Sequence, residues 1–169
     1  MTTQQTMTER DAYLATFNRE HDTTLRLIRA FPADQIALKP NDKLQSAGDI
    51  GWMLVVNQMI VPVIIEQAEV LPKGLPKQPP TWKEIADTLE ATHRDVVGTI
   101  ERRLTDQTIN QTVKTMVGPK QMGDVRRGDM LWMMLYDSIH HRGQLSIYTR
   151  LAGGKVPSIY GPTLEEPWF

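Results

Sequence analysis

The run IGWMLVVNQMIVPVII, from Ile50 to Ile65, constrains this chain more than any other segment. It is apolar apart from Asn57 and Gln58, and Pro62 interrupts it. A membrane span takes roughly 20 residues, and this run is short for one. It reads instead as a buried helix, and a helix that is apolar on most sides needs partners to cover it. Ser46 is a good N-cap residue, with Asp49 three positions later. Ile50, Met53, Leu54, Asn57, Val61, Ile64 and Ile65 then share one face. Pro62 lacks an N–H and crowds the preceding turn, so a kink is expected there. The helix should fade before Pro72.

Three further helical patterns supply the cover. The first begins after Thr8, with Glu9 and Asp11 in the turn where acids suit the helix dipole. It carries Tyr13, Leu14, Phe17, Leu25 and Ile28 at helical spacing and ends near Phe31-Pro32. The third helix opens on TWKE, Thr81 to Glu84, a capping box. Ile85, Leu89, Val96, Ile100 and Leu104 follow at core spacing. The fourth runs from about Arg127 to Ala152, where Gly153-Gly154 ends it.

The segment LPKGLPKQPP, from Leu71 to Pro80, is proline-rich and should be extended. Ten such residues span roughly 30 Å, the length of a helix of about 20 residues. It can carry the chain back along the bundle and leave helices two and three parallel. The segment from Thr105 to Arg126 has β-branched residues at Thr108, Ile109, Thr112 and Val113, enough for a short extended piece but not for a main sheet. The expected fold is all-α, a single domain over residues 1–169 built as a four-helix bundle with long crossover connections.

A net charge of -1 gives no electrostatic case for nucleic acid, which wants a basic surface. The chain has no cysteine, so thiolate nucleophiles, disulfides and Cys-ligated zinc are excluded. The opening MTTQQTMTERDAY has no apolar signal core. The expectation is a cytoplasmic protein that does not engage a membrane. No glycine-rich phosphate loop and no GxSxG elbow are present. His21 and His93 stand alone on helices one and three and read as surface or packing residues.

Chemistry concentrates in DSIHHRGQLSIYTRL, Asp137 to Leu151. At about 100° per residue, His141 falls near +40° from Asp137, Gln144 near −20° and His140 near −60°. Met130, Met133, Met134, Leu145 and Tyr148 belong to the same broad face, which puts Asp137 and His141 inward and Arg142 away from them. An acid and an imidazole one turn apart can converge on a divalent ion. Equally, Asp137 can hydrogen-bond His141 and Gln144 in a satisfied polar cluster with no ion. Helix two offers Met53 and Asn57 as further donors. Met53 is a soft thioether that suits zinc or nickel(II) poorly, whereas Asn57 can offer a carbonyl oxygen.

HHRGQLSIYTRLAGGKVPSIYGP, from His140 to Pro162, resembles the C-terminal signature of the DinB/YfiT-like family of metal-dependent proteins. FPADQIALKPNDKLQSAGDIGWML, from Phe31 to Leu54, is similar to that family's region between helices one and two. The resemblance implies a four-helix bundle, a homodimer, and three histidines around a nickel or zinc ion. It places the helix-four ligands on Asp137 and His141 and the helix-two ligand on Met53, so two of the three positions depart from histidine. It also implies a thiol-dependent transferase or a hydrolase. In such an enzyme Asp137 and His141 hold the ion. His140 shuttles protons, as imidazoles do near neutral pH, and Gln144 orients ligand or water.

The competing reading is a non-catalytic descendant that keeps a small-molecule pocket without the metal. A third reading makes the run structural, with Arg142 paired to an acid on a neighbouring helix or on a dimer partner. Arg150 would then pair with Glu165 or Glu166. The tail KVPSIYGPTLEEPWF is too apolar to hang free and is expected to pack back on the bundle or on a second subunit.

Overall fold

Local signals set the helix ends. Thr8 accepts a hydrogen bond from the Asp11 N–H and starts α1, Glu9–Ala30. Ser46 and Asp49 close a reciprocal capping box that starts α2, Ala47–Glu66, and the helix continues through Pro62. Thr81 and Glu84 close a second box at the head of α3, Trp82–Arg103. These boxes satisfy N–H groups that a helix cannot satisfy internally. A four-residue helix α4, Asp106–Ile109, precedes the final helix α5, Arg127–Leu151. Gly153, at φ 79°, follows α5 in the left-handed region that glycine enters freely. The computed structural model describes residues 7–71 and 73–169. Residues 1–6, where the sequence lacks a signal core, and Pro72 lie outside the described residues.

The contacts between helix ends give the topology. Gly51 near the head of α2 lies against Trp82 at the head of α3, where a Cβ would meet the indole at 2.9 Å. Glu66 and Arg103, at the two tails, come within 3.6 Å. Helices α2 and α3 are therefore parallel, as the proline-rich connection implies. Arg10 at the start of α1 donates to the carbonyl of Leu104, and Trp82 donates to that of Ile28 near its end, so α1 runs against α3. Arg126 pairs with Glu9, and Arg142 with Glu20, so α5 runs with α1. The bundle is up–down–down–up, with a long crossover between its two middle helices.

The stretch after α3 holds more β-structure than its sequence suggests. Strands β2, Thr112–Gly118, and β3, Gln121–Arg126, form an antiparallel hairpin, and β1, Glu69–Val70, adds to β2 in parallel. The expectation of a short extended piece was too small. Alternation along β2, with Val113 and Thr115 buried and Thr112, Lys114 and Met116 outside, is a period-two pattern that only five residues carry. Lys120, at φ 59°, takes the left-handed position in the turn.

Two apolar clusters fill the bundle. Tyr13, Phe17, Ile64, Ile100, Leu131 and Val113 belong to one. Leu27, Leu54, Trp82, Ile85, Leu145 and Tyr148 belong to the other. Each fully buried large side chain contributes roughly 1.5–3 kcal/mol. Between the clusters lies a polar layer: Glu20, His21 and Thr24 from α1, Asn57 and Gln58 from α2, and Arg142 from α5 are all buried. By length and composition α2 is apolar enough to cross a membrane, yet most of it is covered by the other helices.

Candidate functional site

Helix α5 sets Asp137, His140, His141 and Gln144 on adjoining turns, and α2 supplies Asn57 opposite them. The buried Asn57 donates through Nδ2 to Asp137 Oδ2 at 2.7 Å and to Ser138 Oγ at 3.3 Å. Asp137 Oδ2 lies 3.3 Å from His141 Nε2. His141 Nδ1 meets Gln144 Oε1 at 2.9 Å, and Gln144 Nε2 meets His140 Nε2 at 3.1 Å. The result is a continuous polar chain, Asn57–Asp137–His141–Gln144–His140, leading from the interior to the surface. The His141 side chain is 15% exposed and that of Asp137 is 40% exposed, so the pair sits at a rim rather than in the core.

The amide of Gln144 decides what His141 presents to Asp137. With Oε1 toward the ring, Nδ1 carries the hydrogen, and a neutral ring turns the Nε2 lone pair toward the carboxylate. That contact is attractive when a proton or a cation sits on it. The opposite amide orientation moves the hydrogen to Nε2, which then donates directly to Asp137.

The remaining candidate, Met53, does not join this chain. It lines a separate recess with Asp49, Trp52 and Leu75. Among the described residues, no three His, Asp or Glu side chains come together as a metal group. Asp137 and His141 therefore offer two donors. Asn57 turns its Nδ2 donor toward Asp137, so its carbonyl oxygen does not complete the set. This donor set does not fit a resident zinc or nickel ion held by three protein ligands.

The inward direction of α5 differs from the sequence reading. Met130, Leu145 and Tyr148 are buried as expected, but so are Leu131, Leu135, Arg142 and Thr149, while Met133 is 49% exposed. The core-facing arc is centred on the Leu135–Arg142 side, and Asp137 and His141 mark its border. Arg142 does turn away from the pair, but into the core, where it is 1% exposed. Its Nη2 lies 2.7 Å from Glu20 Oε2, and its Nη1 donates to the Glu20 carbonyl and to Thr24 Oγ1 at 3.1 and 3.3 Å. This is the pairing with an acid on a neighbouring helix that the structural reading of the run expects.

Tyr160, from the segment after α5, bonds both members of the pair; its hydroxyl donates to Glu20 Oε2 at 2.6 Å. Burial pushes the Glu20 carboxyl up, but hydrogen bonds from Tyr160 and Arg142 outweigh it and hold the group below its usual range. The start of the tail packs back on the bundle, where Val156 is buried, but its apolar end does not: Leu164, Trp168 and Phe169 stay exposed, against the expectation. Arg26 donates to the Ser158 carbonyl at 2.6 Å, and Arg150 bonds Glu165 through two donors at 3.0 Å each.

His21 and His93 are not isolated. Their rings stack 3.6 Å apart at 8°, Phe17 stacks on His93, and Gln58 Nε2 meets His21 Nδ1 at 3.2 Å. Burial, and then the neighbouring His93, lower the His21 pKa to about 3. Beside this stack is a cavity of about 20 Å³, room for about one water. Tyr13 and Gln58 line it, and the Tyr13 hydroxyl and Gln58 Oε1 have no partner among the described residues. A wider cleft of about 420 Å³ opens beside the rim chain. Its wall includes Lys43, Leu44, Gln144, Ile147, Tyr148 and Leu151, so Gln144 belongs to both cleft and chain. Neither the stack nor Glu20 carries a signal in the sequence, because their partners come from other helices.

The DinB family model matches residues 1–168. The chain belongs to the DinB family. Among curated relatives of this DinB chain is the uncharacterised protein YrdA of Bacillus subtilis. It is 26% identical over 156 residues, covering 92% of this chain and 90% of that one. A DinB-like protein from Bacillus cereus shares the fold at TM-score 0.73 and 18% identity, covering 89% of this chain and 97% of its own. The DinB-like protein YjoA from Bacillus subtilis does so at 0.71 and 17%, covering 88% and 97%.

Proposed function

We propose that this DinB-family chain is a small-molecule-binding protein that works without a resident metal. Its ligand lies in the cleft beside α5, with polar contacts through the Asp137–His141–Gln144 chain. The observation that carries this is the double role of Gln144, which lines the cleft and bonds both histidines. Leu44, Ile147 and Leu151, all exposed, give an apolar wall, and Lys43 gives a cation at its edge. That combination suits an amphipathic ligand with an acceptor or anionic head. The dye 8-anilinonaphthalene-1-sulfonate, apolar with an anionic head, probes it. Its fluorescence should rise with the wild type and fall back in Ile147→Glu, whose melting temperature stays unchanged. Equal dye response in the two proteins overturns the reading.

The second reading is a metal-dependent transferase or hydrolase, favoured by the 3.3 Å approach of Asp137 Oδ2 and His141 Nε2. Water would then complete the coordination of the ion, which would activate a bound water or thiol. Elemental analysis of untagged protein separates the readings. Stoichiometric nickel or zinc that disappears in Asp137→Ala and His141→Ala supports the enzyme; metal-free protein after soaking supports the binder. For a partner we propose a second copy of the chain, seated on the outer face of α5. Met133 and Tyr136 are exposed there, and a Cβ at Gly143 would meet nothing within 4 Å, which leaves room for a second backbone. Ultracentrifugation of Tyr136→Glu against wild type tests it, the variant sedimenting as a monomer.

A further inference from the structure

We propose that the recess at the α5 N-terminus, away from the Gln144 cleft, binds a phosphate-class oxyanion. The reason is a buried cation without a counter-charge. Arg127, the first residue of α5, is 8% exposed. Its Nη1 donates to the Ile64 carbonyl near the tail of α2. Its Nε is enclosed and has no hydrogen-bond partner among the described residues, and the ion pairs around it run to Arg126 and Arg103 instead. The acids nearby are engaged elsewhere. Glu9 and Asp129 both pair with the adjacent Arg126, at 2.7 and 2.8 Å, and Glu66, on the wall of the recess itself, lies 3.6 Å from Arg103 rather than on Arg127.

Burying an unpaired charge is expensive, and the usual escape is to neutralise it. A lysine can lose its proton; an arginine cannot. An anion from solution is the remaining compensation. The recess has the size and the donors for one. It is about 400 Å³ and is lined by Arg127, Arg103, Thr108 and Gln111, with Glu66 and Ile65 completing the wall. The donors come from α5, from the end of α3, from α4 and from the α4–β2 connection, so they approach from several directions. A tetrahedral oxyanion can accept from all of them, whereas a planar carboxylate uses one fork. The N-terminal end of a 25-residue helix adds positive potential at the same place.

Thermal melting at matched ionic strength tests this with inorganic phosphate, phenyl phosphate, acetate and chloride. Wild type should melt higher in either phosphate than in chloride or acetate, and the phosphate giving the larger rise shows whether the free ion or a monoester is preferred. In Arg127→Met the phosphate response should disappear, with the dissociation constant weakened by about ten-fold or more, as loss of a charge-assisted hydrogen bond implies. In phosphate-free buffer this variant should melt no lower than wild type, because it removes an uncompensated buried charge. If Arg127→Met does not fold, Arg103→Gln with Thr108→Val at the rim should weaken the phosphate response in its place. No phosphate-specific rise in wild type, or a full response in the variants, overturns the assignment.

Discussion

Acidifying the protein from pH 7 to pH 5 should destabilise it through His21. This ring is 5% exposed, stacked on His93, and held neutral, with a pKa near 3 against about 6.5 for an ordinary histidine. Between those values the unfolded chain binds a proton that the folded chain refuses. Stability is therefore complete above about pH 6.5 and is lost progressively as the pH falls toward 3. At pH 5 the difference covers about one and a half units, or roughly 2 kcal/mol at about 1.4 kcal/mol per unit. For a chain of this size that lowers the melting temperature by about 4–8 °C.

His93 shifts in the same direction, because its own burial outweighs the pull of Asp22, and it adds to the loss. The lowered carboxyls of Glu9, Glu20 and Glu165 act only below their ordinary range near 4.5, so the window from pH 7 to 5 isolates the histidines. Melting curves across this window, in wild type and His21→Leu, measure the effect, and the variant should show the smaller slope. Histidine proton shifts followed by NMR give an independent reading. A His21 signal that titrates near 6.5, or identical slopes in the two proteins, refutes the reading of the stack as buried and neutral.

Glu20→Ala leaves Arg142 buried without its acid and should cost about 3–5 kcal/mol in chemical denaturation. Tyr160→Phe removes a hydroxyl from the same pair but keeps both charges, and should cost about 1–3 kcal/mol by the same assay. Gly51→Val places a methyl into the Trp82 ring, separates α2 from α3, and should cost at least about 1–3 kcal/mol; quenching of Trp82 fluorescence reports the change. Deleting residues 160–169 removes the Tyr160 bonds and the Arg150–Glu165 contact, so the melting temperature should fall. An unchanged melt would mean that the tail only lies against the bundle.

The sequence by itself determined the helices, their ends and their number of main segments. Caps such as Ser46–Asp49 and Thr81–Glu84 act over three residues, and apolar spacing repeats every three or four, so both can be read from neighbours in the chain. The proline-rich connection fixed a long return and with it the parallel pair α2 and α3. The same locality brought Asp137, His141 and Gln144 together, since one helix carries all three. Only the tertiary structure decided the rest. Which arc of α5 faces inward depends on α1 and α2, and those helices accept Arg142 because Glu20 and Tyr160 are there to meet it. The His21–His93 stack, the placing of Met53 in the wall of a different recess, and the burial of Arg127 have the same origin. A buried polar group is stable or costly according to its partner, and in this bundle the partner comes from a different helix.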